Sequence, residues 1–408
     1  MRILFLTQIC PYPPANGSAI KTYNILKHLG ARHEIELLLF VRGESDIAAI
    51  EHLRPYCREI VHCLMKRSAK SDLAYAARSL VSGTSFIISR DRRAEMEAKV
   101  LARLKDSPDL IYADHLQMAQ YVPAAAPCPV LLDEHNVEWR IIERFASRGV
   151  SLPRRLFASV EWRKLRSYEL SACRRADFVL TVTAHDRDVL AEHGIPEGKI
   201  TALPVGVDTE YFRPARGRKD SRDILFFGAM SWPPNADAVS HFVERIYPLV
   251  KREVPDARLT VLGANPPPEV RSLAERDSSI TVTGYVDDIR PYSEDACVFV
   301  VPLRIGSGMR VKILDAMALG LPVVTTSVGC EGISLRHGDH ALVADDPREF
   351  AESVVRLIRD DEIRSKLASE GRRLVEQCYS WPPILNRLDR VLEKAADLHS
   401  PTLRLRAA

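Results

Sequence analysis

The stretch Gly306-Ser-Gly-Met-Arg-Val-Lys-Ile-Leu-Asp315-Ala-Met-Ala-Leu-Gly320-Leu-Pro322 decides how the chain is read. An apolar run from Cys297 precedes it and ends near Pro302, as a buried strand would. Gly306 and Gly308 follow, and the pattern predicts a helix opening near Met309 and stopping at Gly320, with Pro322 just beyond. Glycines ahead of a helix let backbone N–H groups approach an anion, and the helix dipole favours that anion. Arg310 and Lys312 add two positive charges in the first turn. Asp315 comes seven residues after Gly308, about two turns on. The set suits a diphosphate, with a carboxylate for two ribose hydroxyls. The plainer alternative is a Gly-capped loop with solvated Arg and Lys on a surface helix.

Working outward, short apolar runs alternate with longer amphipathic segments in both directions. Behind the stretch lie strand candidates Ile224–Phe227, Arg258–Leu262, Ile280–Thr283 and Val298–Val301, and beyond it Pro322–Thr325. Helices are predicted from about Pro347 to Glu376 and from Pro383 to Leu398. An earlier series holds Arg2–Thr7, Glu34–Val41, Glu59–Leu64, Asp109–Tyr112, Val130–Asp133 and Phe178–Val182. Between the series, Leu203 to Arg222 gathers Pro204, Gly206, Pro214, Gly217 and many charges, and reads as a linker. The rhythm is that of an α/β protein with two doubly wound, Rossmann-like parallel sheets. The expected domains are 1–208 plus the returning helix 383–408, and 218–382. Such sheets bind ligands outside the carboxyl ends of their strands, so the expected site is a cleft between two halves.

Composition removes other classes. Apolar residues make up 46% and charged residues 27% of the 408, which suits an ordinary globular chain. A net charge of +3 is too near neutral to suggest a nucleic-acid partner. The eight cysteines are scattered without a C-x-x-C pair, so neither a disulfide frame nor a zinc site is expected. No apolar run approaches a membrane span, and MRILFLTQ reads as a strand rather than an export signal. The expected location is cytoplasmic.

Three further features invite a functional reading. His115 follows the strand at Tyr112, and Asp133-Glu-His-Asn136 follows another, so both belong at carboxyl strand ends; the second also fits a helix cap. Asp186-Arg-Asp188 is a D-x-D pair of the kind that holds divalent ions elsewhere, but it opens a helix, where acids are favourable anyway. No metal is expected. Residues 140–175 hold ten basic residues against Glu143, Glu161 and Glu169, with an apolar stripe of Leu152, Leu156, Val160 and Leu165. The stripe fits packing on the sheet, or peripheral contact with the anionic inner face of a membrane.

The 306–322 stretch resembles the donor motif of retaining family-4 glycosyltransferases, which have the GT-B fold, in the form G-S-G-x-R-x-K-x-x-[DE]-A. The resemblance covers nearly the whole chain. Pro13-Pro-Ala-Asn-Gly17, Leu203-Pro-Val-Gly-Val-Asp208, Ile224-Leu-Phe-Phe-Gly228-Ala-Met-Ser-Trp232-Pro-Pro-Asn235 and Gly284-Tyr-Val-Asp287 resemble other family segments in the same order. It implies a metal-independent hexosyltransferase without a bound cofactor. A nucleotide-diphosphate sugar would be the donor, and a polysaccharide or lipid-linked glycan the acceptor. His115, Arg310 and Lys312 would carry catalysis. Gly17, Gly228, Gly306, Ser307, Gly308, Met309 and Asp315 would bind donor. Two departures stand out: Ser307 occupies a position where many members have Glu, and the 230–235 loop lacks their Arg and Lys. Arg310 and Lys312 are expected to replace that pair. Two rivals stay open: a GT-B nucleotide-sugar 2-epimerase, and a non-catalytic two-domain binding protein.

Overall fold

The computed structural model describes residues 1–147, 152–214, 221–306 and 308–399. The chain divides into two compact units, Met1–Val205 together with the chain from Leu385 onward, and Gly206–Ile384. Each unit is a parallel sheet flanked by helices with its own apolar core.

In the N-terminal unit the strands are β1 (Arg2–Thr7), β2 (Glu34–Val41), β3 (Glu59–Leu64), β4 (Leu110–Asp114), β5 (Val130–Glu134), β6 (Phe178–Thr181) and β7 (Ile200–Ala202). They lie in the order β3-β2-β1-β4-β5-β6-β7. The chain steps outward from β1 through β2 to β3, then restarts on the other side of β1 with β4. That reversal makes β1/β4 a switch point, where the connections leave in opposite directions and open a crevice at the carboxyl ends. Thr7 pairs with Asp114 across it.

The C-terminal unit repeats the plan with β8 (Asp223–Phe227), β9 (Arg258–Leu262), β10 (Ile280–Gly284), β11 (Ala296–Val301), β12 (Val323–Thr325) and β13 (Leu342–Val343). Their order is β10-β9-β8-β11-β12-β13, so the switch point lies between β8 and β11. Phe226, Phe299 and Val300 are buried, which explains the near-continuous apolar strands.

Several boundaries differ from expectation for local reasons. The strand predicted from Asp109 starts at Leu110, because the Asp109 carboxylate turns back to accept from the Arg2 amide at 2.7 Å. The single helix predicted over 347–376 is two, Pro347–Arg359 and Asp361–Leu374. Asp360 breaks it by accepting from the amides of Glu362 and Ile363, an N-cap for the second helix. The helix after β11 runs Val311–Ala318, not from Met309, because Arg310 has the non-helical φ of −91° and ψ of 83°. Short β7 and β13 carry too little periodicity to be read from sequence.

The last helix, Trp381–His399, buries Ile384, Leu388, Val391, Leu392 and Ala395. Its Asp389 pairs with His28 at 2.7 Å and Arg32 at 2.6 Å on the helix Gly17–Gly30, and Arg387 donates to the Ala202 carbonyl at 2.7 Å. Among the described residues, no helix is long and apolar enough to cross a membrane.

Candidate functional site

Each switch point carries a polar cluster. At β1/β4, Asp114 ends its strand fully buried and accepts four hydrogen bonds. Oδ2 takes Thr7 Oγ1 at 2.6 Å, Thr22 Oγ1 at 2.9 Å and His115 Nδ1 at 2.9 Å, and Oδ1 takes His135 Nε2 at 2.7 Å. The rings of His115 and His135 stack, centroids 3.8 Å apart and planes 7° from parallel. Beside them Lys21 Nζ donates to Asp133 Oδ1 at 2.5 Å, and the Tyr112 hydroxyl donates to Oδ2 at 2.7 Å. Lys21 and Thr22 reach in from the helix Gly17–Gly30, which begins at Gly17 and is capped by Asn16. Gly17 therefore sits at a helix start.

This cluster fixes a charge pattern. Burial alone would raise the Asp114 carboxyl, but His115 and His135 hold it well below its ordinary value. Burial opposes a charge on His115, and Asp114 outweighs it, so that ring is raised. His135 is lowered by burial and by His115. The proton belongs on His115, while neutral His135 donates to the carboxylate. The His115 backbone has φ 77° and ψ 145°, a region costly for any residue with a side chain. Its amide is tied to the Asp133 carbonyl at 3.0 Å. A strained, buried histidine at a switch point is what a positioned functional group looks like.

At β8/β11 the second cluster forms at the start of the helix Val311–Ala318. Lys312 Nζ donates to Asn235 Oδ1 at 2.6 Å and lies 4.5 Å from the Phe226 ring centroid. The Asn235 amide in turn donates to the Ala229 carbonyl at 2.8 Å. Gly228, at φ 156°, lies under both: a Cβ there would stand 2.5 Å from Lys312 Nζ and 2.9 Å from Asn235 Nδ2. Arg310 donates to the Gly308 carbonyl, and a Cβ on Gly306 would collide with its guanidinium. Burial, then the Arg310 charge, pushes Lys312 down to about 7. Burial pushes the Asp315 carboxyl up to about 7. Asp315 lies one turn into this shorter helix rather than two. Met309 packs partly buried against the core, and Ser307 lies outside the described residues.

Other expectations need correction. Asp133–Asn136 is not a helix cap: the amides of Glu138 and Trp139, at the start of the helix Glu138–Ser147, are taken by buried Glu169 at 3.1 Å each. The stripe on the helix Leu152–Arg175 divides, with Leu165 buried and Leu156 and Val160 exposed. Asp186 lies in the first turn of a helix capped by Thr183, and Asp188 pairs with Arg187 at 2.7 Å. No His/Cys cluster in the sequence has metal spacing, yet the fold brings ligand atoms of Asp114, His115 and His135 within 4.8 Å of one another. They already bond to each other through Asp114. Thr7, Lys21, Thr22 and Asn235 were missed as site residues. Lys21 and Thr22 gave one signal: they share a helix face with Ile25, Leu26 and Leu29, where solvated residues do not belong.

Two units, each a doubly wound parallel α/β layer, are the architecture of the GT-B class of glycosyltransferase folds. The model for "Glycosyltransferase Family 4" matches residues 15–211, and that for "Glycosyl transferases group 1" matches 221–360. The chain belongs to the family-4 glycosyltransferases. It is 22% identical over 405 residues to an uncharacterized 44.6 kDa protein in the cps region of Klebsiella pneumoniae, covering 95% of this chain and 98% of that one. It is 27% identical to the MMP alpha-(1->4)-mannosyltransferase of Mycolicibacterium hassiacum, over 73% of each. Among solved structures, Anabaena HepE in complex with UDP has the same fold, with a TM-score of 0.69 at 15% identity over 97% of this chain and all of that one.

Proposed function

We propose that this glycosyltransferase moves a hexose from a nucleotide-diphosphate sugar to a polysaccharide or lipid-linked glycan, with retention of configuration and without a metal. The observation that carries the reading is the convergence of Gly228, Asn235, Arg310 and Lys312 at a helix N-terminus on the β8/β11 switch point. Transfer breaks the anomeric C–O bond, and both electrons leave with the diphosphate. Preorganised cations are the strongest lever on that developing charge, so Arg310 and Lys312 take the part a metal ion plays elsewhere. The half-buried Asp315 carboxyl suits ribose hydroxyls. Gly306 and Gly308 keep the backbone open beside the phosphates, the segment to Met309 binds the donor with them, and His115 holds the sugar.

Retention is supported by Asp114 and Asp133 near the ends of β4 and β5, since Glu134, the last residue of β5, is buried against Cys173. Asp114 and Asp133 are each engaged by two or more donors, which leaves neither free to form a glycosyl ester. The acceptor then enters on the face the diphosphate leaves, and its proton passes to the departing phosphate oxygen. Exposed Phe145, Leu156 and Val160, with the basic residues around them, support peripheral contact with an anionic membrane on the cytoplasmic side.

The test begins with a thermal-shift screen of UDP, GDP and ADP. The matching nucleotide sugars are then incubated with the enzyme, with and without glycan acceptors and with excess chelator. Arg310→Ala and Lys312→Ala should each lower turnover on the order of 10²-fold. NMR of the product should show the donor's anomeric configuration. An epimer from donor alone, absence of any turnover, or activity lost to chelator and restored by manganese would each overturn part of this reading.

A further inference from the structure

The helical layer of the N-terminal unit holds a cavity of about 690 Å³ lined by none of the residues at the two switch points. That volume lies in the range of small-molecule sites, roughly 300–1,000 Å³. Its walls come from the helices Ala69–Val81, Phe86–Ser89, Ala94–Leu104 and Leu152–Arg175, and from the turn Leu116–Tyr121 after β4.

The wall is fixed from behind. Buried Glu161 accepts from Ser79 Oγ at 3.2 Å, Ser85 Oγ at 2.5 Å and the Ile87 amide at 3.2 Å. Lys164 Nζ donates to the carbonyl of Ser79. These bonds tie the end of one helix, the turn after it and the middle of another into one rigid surface.

The charge on that surface is one-sided. Arg78, Arg92, Lys164 and Arg175 line the cavity against a single acid, Glu97, which is paired with Arg92 at 3.1 Å. Arg78 and Arg175 have no carboxylate partner among the described residues. Between them the lining is rich in hydroxyls, and it includes the rings of Tyr75 and Tyr168. The Tyr168 hydroxyl itself is shielded from solvent, so what Tyr168 offers the cavity is its ring.

We propose that this cavity is a second saccharide site, for a carboxylate- or phosphate-bearing segment of glycan. Guanidinium forks recognise such anions by paired hydrogen bonds, and hydroxyl rows with aromatic edges suit sugar rings. A nucleic acid would need a continuous basic track along the surface, and a lipid chain would need an apolar channel. Neither matches a hydroxyl-lined concavity of this size. A transferase with such a site holds an acidic chain while its end is extended.

The proposal goes beyond the donor reading, and its test reads binding, so the two fail separately. The full chain is titrated calorimetrically with tetragalacturonate, neutral maltotetraose and inorganic phosphate. Tetragalacturonate should bind, and maltotetraose at least ten-fold more weakly. Arg78→Glu with Arg175→Glu should weaken tetragalacturonate at least ten-fold and leave nucleotide binding and the melting curve unchanged. Failure of wild type to bind tetragalacturonate, equal affinity for maltotetraose, or unchanged binding in the charge-reversed variant overturns the proposal. So does a variant that loses only co-sedimentation with phosphatidylglycerol vesicles, which would assign the cations to a membrane face.

Discussion

The two switch points solve opposite problems. In the N-terminal unit, Asp114 and Asp133 are closed: between them they accept from Thr7, Thr22, Lys21, Tyr112, His115 and His135. In the C-terminal unit, Lys312 has one neutral partner and a like charge beside it, and the Asp315 carboxyl has no hydrogen-bond partner among the described residues. Burial therefore deforms the second pair, one pushed down and the other up to about 7, while the first set is compensated. A closed network holds a geometry in the empty protein. An open one waits for a ligand to complete it.

The largest expected effect concerns what supports the closed network. Its helix Gly17–Gly30 is braced by Asp389 on the last helix. That helix buries Leu388, Val391 and Leu392, each worth roughly 1.5–3 kcal/mol against a typical domain stability of about 5–15 kcal/mol. Ending the chain at Ile384 should unfold or aggregate the N-terminal unit and spare the C-terminal one. Limited proteolysis reads this directly. Equal protection of both units would show that the last helix belongs to neither core.

Next comes the network itself. Asp114→Asn replaces an acceptor by a donor in a fully buried site facing four donors, so it should cost about 3–5 kcal/mol. The His115 ring, held above its ordinary 6.5 mainly by Asp114 against burial, should titrate lower in that variant by NMR. The sign follows from linkage. A raised histidine contributes stability fully below pH 6.5 and loses it as pH rises through the folded value. Wild type should therefore lose stability across that window, and the variant should not.

The open site predicts the contrary response. Lys312→Met removes a poorly solvated cation, which offsets the lost hydrogen bond to Asn235, itself worth about 1 kcal/mol. The melting temperature of the empty protein should stay level or rise, while nucleotide no longer stabilises it. A stability loss like that of Asp114→Asn would mean both sites are closed, and the contrast would fail.

The same contrast explains what the sequence made legible. The open site is local: Gly306, Gly308, Arg310, Lys312 and Asp315 fall within ten residues, between a strand and a helix, so spacing alone announced it. The long part of that site was harder, since Lys312 meets Asn235 from 77 positions away. The closed network is non-local throughout. Lys21 reaches Asp133 over 112 positions and Thr7 reaches Asp114 over 107. Only the strand order brings these pairs together, and no spacing rule reports strand order. His115 is legible because it follows a strand; His135 follows the next strand too, but its partnership depends on β4 and β5 lying side by side in register. The alternation of strand and helix was plain because buried parallel strands are almost wholly apolar, whereas the short edge strands β7 and β13 leave no pattern to read.

The smallest effect is the sharpest test of openness, because it counts protons. With Lys312 and Asp315 both near 7 in the empty protein, neither charge is secure at neutral pH. A diphosphate beside Lys312 would restore its ammonium, and ribose hydroxyls donating to Asp315 would favour its carboxylate. At pH 8 roughly one-tenth of Lys312 is charged and Asp315 is already ionised, so binding should take up close to one proton. At pH 6 Lys312 is already charged and Asp315 largely neutral, so binding should release one. A nucleotide-diphosphate sugar is the right ligand, since its diester phosphates do not titrate here. Calorimetry in buffers of different ionisation enthalpy measures the count. The expected result is a change of sign near pH 7, with the release at pH 6 abolished in Asp315→Asn and the uptake at pH 8 abolished in Lys312→Met. Proton counts near zero at both pH values would mean that both groups already carry their bound-state charges in the empty protein. The C-terminal switch point would then be as closed as the N-terminal one.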